Sequence, residues 1–184
     1  MSEVTGVKIG IHELKMKPGT QLKFSLEESW RDIQVGRESI PVVAPVRVEG
    51  ELTNTGKFIY LKGHAWTELE LACARCLEVF VYPLEVPLEE EYCTEAVFQS
   101  LPETDTLRDE VRVYEGDILD LRPAVEEAFI LALPMKWVCR EECRGLCPWC
   151  GKNLNTEQCN CRGEEVDPRL LKLSELLSQN KGGC

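Results

Sequence analysis

The stretch that decides the fold runs Pro45-Val46-Arg47-Val48-Glu49-Gly50-Glu51-Leu52-Thr53-Asn54-Thr55-Gly56, then Phe58-Ile59-Tyr60-Leu61 and, further on, Leu69-Glu70-Leu71-Ala72-Cys73. Val46, Val48 and Leu52 alternate with Arg47 and Glu51. Asn54-Thr55-Gly56 supplies turn chemistry, and in the second arm Leu69, Leu71 and Cys73 share one parity against Glu68 and Glu70. Alternation of this kind places apolar side chains on one face of a half-buried strand, so residues 45–73 are expected to form a β-hairpin that ends on Cys73.

Working outward, Val7-Lys8-Ile9-Gly10-Ile11 and Leu22-Lys23-Phe24-Ser25-Leu26 read as two further strands parted by Lys17-Pro18-Gly19. After Cys76 the run Val79-Phe80-Val81-Tyr82-Pro83-Leu84-Glu85-Val86 is extended again, and Pro83 and Pro87 suit an edge strand. The pair in Cys73-Ala74-Arg75-Cys76 then sits at a tight reversal between strands. Asp120, Pro123 and Pro134 punctuate a helix whose apolar side carries Leu121, Val125, Ala128, Phe129 and Ala132, with Glu126 and Glu127 opposite. Asp167-Pro168 opens a short second helix through Leu170, Leu173 and Leu177. The expected class is α+β: a predominantly antiparallel β body over residues 1–138, a cysteine-rich module over 139–163, and a short C-terminal helix with a frayed tail over 164–184.

The chain has 184 residues, room for one ordinary domain and a small appendage. No segment approaches the roughly 18 consecutive apolar residues of a spanning helix, and Met1 to Gly10 lacks the layout of a signal peptide. A cytoplasmic location without membrane association is therefore expected. In that reducing setting the ten cysteines point to metal ligation rather than disulfides where their spacing is regular.

Six of them crowd into one segment: Cys139, Cys143, Cys147, Cys150, Cys159 and Cys161. A stretch this short cannot bury an adequate apolar core, whereas zinc affinities of about 10–16 kcal/mol in finger peptides rival the total stability of a domain. The turn Cys147-Pro148-Trp149-Cys150-Gly151 suits two thiolates presented from one loop. Cys159 with Cys161, or Cys139 with Cys143, supplies two more, and sequence does not choose between them. About one structural zinc per chain is the expectation, with a two-metal cluster sharing bridging thiolates, an iron–sulfur cluster or free thiols as the other readings. A catalytic zinc would want an open position and a nearby base; the two histidines, His12 and His64, lie outside the module. Cys73 and Cys76 are open to three readings: a redox pair, metal ligands completed by Cys93 or by the module, or a structural turn.

Net charge is -11, which disfavours direct binding to bare nucleic acid. Residues 78–105 hold eight acidic side chains and no basic one, either a solvated edge or a face for a basic protein centred on Glu89, Glu90 and Glu91. The module is the least acidic part. Arg140, Arg144, Lys152, Arg162 and Trp149 are its candidate RNA contacts.

The motif order resembles that of the YceD family. The resemblance is carried by Cys73-Ala74-Arg75-Cys76-Leu77-Glu78, by Asp117-Ile118-Leu119-Asp120-Leu121 leading to Leu131-Ala132-Leu133-Pro134, and by Cys143-Arg144-Gly145-Leu146-Cys147-Pro148-Trp149-Cys150-Gly151-Lys152-Asn153-Leu154-Asn155. Cys159-Asn160-Cys161 and Asp167-Pro168-Arg169-Leu170 close it, over roughly residues 40–177. The resemblance implies a non-enzymatic role in accumulation of large-subunit ribosomal RNA, reached directly or indirectly through a ribosomal protein or pre-ribosomal particle. Some family members lack the C-terminal cysteines, which would place the shared role in the body. The competing functions are direct RNA binding by the zinc module and thiol oxidoreduction at Cys73 and Cys76.

Overall fold

The computed structural model describes residues 7–102 and 106–161. In chain order the elements are β1 (Lys8–Gly10), α1 (His12–Lys15), β2 (Gln21–Glu28), β3 (Asp32–Val35), β4 (Glu38–Pro41), β5 (Val46–Asn54), β6 (Ile59–Ala72), β7 (Val79–Thr94), α2 (Glu95–Ser100), α3 (Leu107–Glu110), β8 (Val111–Tyr114), β9 (Ile118–Asp120) and α4 (Arg122–Ala132). The described residues fall into two compact units, one of residues 7–73 with 78–102 and 106–139, the other of residues 74–77 with 140–161.

The first unit is built on a five-stranded sheet in the order β2-β5-β6-β7-β8. All pairings are antiparallel except β7 with β8, which run parallel over Glu91–Thr94 and Val111–Tyr114. The expected hairpin is β5 and β6, in register from Arg47 opposite Trp66 to Asn54 opposite Ile59. On β6 the alternation is strict: Leu61, Ala65, Leu69 and Leu71 are buried while Lys62, His64, Glu68 and Glu70 face outward. Gly50 and Gly63 sit opposite each other at the middle of the pair. A Cβ on Gly63 would stand 2.3 Å from the Glu49 carbonyl oxygen, so these strands approach too closely for any side chain there.

Asn54 is buried and does more than turn the chain. Its side-chain amide donates to the Leu14 carbonyl at 2.8 Å and its oxygen accepts from the Gly56 amide at 2.7 Å. One residue thus closes the β5–β6 turn and anchors α1, and Gly56 takes the positive φ of 106° that the turn requires. Pro83 and Pro87 lie on the length of β7 where β6 is the only paired neighbour among the described residues, since β8 joins only from Glu91 onward. A missing N–H is harmless at such an edge, as expected for those prolines.

The helix lies where sequence places it, with Asp120 accepting from the Arg122 amide at 3.0 Å and Pro123 in the first turn. Leu121, Ala124, Val125 and Phe129 are buried, and Phe129 meets Trp30 edge to face at 6.2 Å between ring centroids. The apolar stripe ends sooner than expected: Ala132 is exposed, because the last turn of α4 runs past the core. The hairpin of β3 and β4 around Gly36 (φ 63°) and the pair of β1 with β9 complete the unit. The helix expected over Leu170, Leu173 and Leu177 lies outside the described residues.

The chain is α+β, a mainly antiparallel body with short helices and a C-terminal cysteine cluster. Among the described residues no helix is long and apolar enough to cross a membrane.

Candidate metal centres

Eight of the ten cysteines fall into two groups of four. Cys147, Cys150, Cys159 and Cys161 form one, with all sulfur atoms within 4.8 Å of one another; Cys147 and Cys150 stand 3.3 and 3.5 Å from Cys159. The turn that presents the first two is fixed by its backbone. The Cys147 amide donates to the Lys152 carbonyl at 2.8 Å, the Gly151 amide donates to the Cys147 carbonyl at 2.9 Å, and Gly151 takes a left-handed φ of 71°. That curl turns amides toward sulfur. N–H groups of Cys150 and Trp149 pull the Cys147 thiol down to about 6, and the Cys161 amide donates to Cys159 sulfur at 3.3 Å. Crowding acts the other way on the last thiol: Cys159 and Cys150 push Cys161 up to about 12. One thiolate forms readily at neutral pH, and four can coexist only around a cation.

Cys73, Cys76, Cys139 and Cys143 form the other group, again with sulfurs within 4.8 Å. The turn Cys73 to Glu78 repeats the first one. The Cys73 amide donates to the Glu78 carbonyl at 2.9 Å, and Leu77, the counterpart of Gly151, takes the same left-handed conformation with φ 62°. Burial separates the groups: Cys73, Cys76 and Cys143 are buried here, whereas Cys150 and Cys161 are exposed. Cys93 joins neither group. It lies at the end of β7 in the core, where burial raises its thiol pKa.

Within the second unit the string from Gly145 to Asn155 holds Cys143 in place. Arg75 donates to the carbonyls of Glu141 and Cys143 at 3.0 and 3.1 Å and accepts from the Leu146 amide at 3.0 Å. Gly145 permits this approach, since a Cβ there would lie 2.9 Å from the Arg75 carbonyl oxygen. Asn155 accepts from the Arg144 amide at 2.9 Å and points its own amide at Cys143 sulfur at 3.4 Å, the outer support that a ligating thiolate needs. Asn153 and Asn155 belong to the string that carries the family resemblance, but sequence assigns them no role; the structure shows Asn155 as a support of the Cys143 segment.

Both donor sets are purely thiol, which fits a soft or borderline ion in a closed tetrahedral site. Sequence left open which pairs combine. The geometry joins Cys139 and Cys143 with Cys73 and Cys76, and Cys159 and Cys161 with Cys147 and Cys150, offering two sites where one metal was expected.

The other candidate residues fare differently. Trp149 is exposed on the knuckle and Arg144 is exposed, while Lys152 is paired with Glu157 at 3.3 Å; Arg162 lies outside the described residues. Glu89, Glu90 and Glu91 do not share a face, because strand alternation sends them to opposite sides of β7. Glu90 is bound by Arg112 at 2.9 Å, and Arg112 also binds Glu127. Glu89 stands 3.8 Å from Lys62 on the other side.

The family model described as large ribosomal RNA subunit accumulation protein YceD matches residues 61–177, more than half of the chain and all eight grouped cysteines. The chain belongs to the YceD family. An uncharacterized Bacillus subtilis protein, YlbN, is 28% identical over 176 residues, covering 95% of this chain and 98% of the relative. A protein of Mycobacterium tuberculosis, also uncharacterized, is 39% identical over 105 residues, 57% of this chain and 49% of its own length. The Arabidopsis thaliana protein named large ribosomal RNA subunit accumulation protein YCED homolog 1, chloroplastic, is 29% identical over 168 residues, covering 77% of this chain and 52% of that protein. No solved structure matches the chain. YceD membership ties the chain to ribosome biogenesis.

Proposed function

We propose that this YceD protein is a non-enzymatic ribosome biogenesis factor that supports large-subunit ribosomal RNA accumulation by binding a basic protein, its cysteines holding two structural zinc ions. The observation that carries the reading is the complete use of thiols: each group already supplies four ligands, which leaves no open position for substrate or water. Zinc so held supplies cross-links rather than chemistry. Residues 140–161 have few buried side chains among those described, so a metal is the natural source of their stability.

Thiol oxidoreduction needs an accessible thiolate, and Cys73 and Cys76 are 0% and 3% exposed. Direct RNA binding would rest on Trp149, Arg144 and Arg140, with Lys152 already engaged by Glu157. Residues 1–138 carry 25 acidic and 14 basic side chains, a field that repels phosphate and attracts a basic ribosomal protein. Affinity capture from extract at low and at high salt tests this. Basic large-subunit proteins should be retained after nuclease treatment and lost as salt rises; recovery of ribosomal RNA alone would overturn it.

A further inference from the structure

The solvent-facing side of the five-stranded sheet carries a cleft of about 690 Å³ that the cysteine centres do not involve. It opens where the ladder of β5 with β6 is interrupted: the pairing stops at Arg47 opposite Trp66, the chain bulges at Pro45 and Ala44, and it returns to β6 where the Val43 amide donates to the Glu68 carbonyl and Val42 pairs with Leu69. Trp66 and Glu68 are successive outward positions on β6, and Glu85 and Pro83 are their partners on β7. From this register we infer that the cleft is a binding site for a cationic side chain, arginine above all, of a basic partner protein. The inference rests on the protein-binding reading above and gives that reading an address.

Three features carry it. Glu68 and Glu85 are diagonal neighbours, a relation that sets side chains about 7–8 Å apart and lets a guanidinium lie between two carboxylates. Trp66, only partly buried, offers its indole to the same space, and a cation over tryptophan is the strongest of the cation–aromatic pairs. The cleft is not already filled by the protein's own charge. Arg47 on its rim is held by Glu27 at 2.8 Å, and Glu68 makes no ion pair among the described residues. Glu85 has His64 at 3.7 Å as its neighbour. Beyond the cleft the same face continues with exposed Val79 and Val81 beside Glu70, so a partner segment carrying both arginine and apolar residues is complementary along its length.

The test uses the full chain and a fluorescein-labelled decapeptide of alternating arginine and glycine, read by fluorescence anisotropy at low salt. Trp66→Ala and the double variant Glu68→Gln with Glu85→Gln should each weaken binding at least fivefold. The control pair Glu49→Gln with Glu51→Gln, which removes equal charge from the same face, should change it less than twofold. Far-ultraviolet circular dichroism and thermal melts of all variants separate lost binding from lost folding. Equal weakening by the control pair would mean a diffuse field and would overturn the site, as would unchanged binding in the Trp66 variant. If purified basic ribosomal proteins bind wild type and the Trp66 variant alike, the cleft assignment falls and the adaptor reading stands. If they do not bind wild type, both fall.

Discussion

The Cys73 amide donates to the Glu78 carbonyl at 2.9 Å, and the same bond, from the first cysteine of a Cys-x-x-Cys to the carbonyl five residues on, joins Cys147 to Lys152 at 2.8 Å. Leu77 and Gly151 follow the second cysteine of each turn in left-handed conformation. Two turns far apart in sequence have one backbone, one suited to present both thiols to a single ion. The turn at Cys73 and Cys76 thus has the same backbone form as the one at Cys147 and Cys150, which supports the proposal that both hold metal.

That equivalence makes Leu77 testable. A leucine at φ 62° costs about 1 kcal/mol that glycine avoids, and its side chain is 67% exposed, so little burial is lost on its removal. Leu77→Gly should leave stability unchanged or raise it by up to about 1 kcal/mol, while Leu77→Val should lower it by a similar amount. Chemical denaturation of the zinc-loaded protein measures both.

At the centre of the sheet the expectation is the reverse. Gly63→Ala puts a methyl group against the Glu49 carbonyl and must push β5 from β6, costing about 1–3 kcal/mol. Gly116→Ala serves as the control: its positive φ of 70° strains any replacement, but nothing lies within 4 Å of the added Cβ. A Gly63 variant no less stable than the Gly116 variant would refute the close approach.

Much of this fold was legible in one sequence because β5 and β6 alternate strictly and Asn54 and Gly56 mark their turn. The β3–β4 hairpin was not, although Gly36 marks it, because its strands have four residues each and too little periodicity. Parallel pairing of β7 with β8 joins positions about twenty residues apart and leaves no local signal. Cysteine spacing pointed to a module able to hold metal but not to which thiols combine, since several tetrahedra are sterically open to a flexible chain. The acidic run at Glu89 to Glu91 reads in sequence as either a solvated edge or a partner face, and only the strand's two-sided pleat shows that its members divide between opposite sides of β7.

Charge reversal exposes that split. Glu90→Lys places a cation beside Arg112 where both side chains are largely shielded, and it should lower stability by about 1–3 kcal/mol. Glu89→Lys and Glu91→Lys should each stay within about 0.5 kcal/mol of wild type. Equal losses at all three positions in thermal melts would contradict the alternation.

Metal removal should act unequally along the chain. Strong chelation should open residues 140–161 to protease while residues 46–94, which own a packed apolar core, stay protected. Limited proteolysis with mass-spectrometric mapping reads this directly, and a protected 140–161 segment in verified metal-free protein would count against a metal-dependent module.

Native mass spectrometry with elemental analysis, on protein purified without chelator, tests the central claim. Two zinc ions per chain are predicted, falling to one when Cys73 and Cys76 are both changed to Ser and to one when Cys147 and Cys150 are. A chain carrying one zinc that survives the Cys73 and Cys76 changes, or a metal-free chain with a Cys73–Cys76 disulfide that exchanges with glutathione, would contradict it.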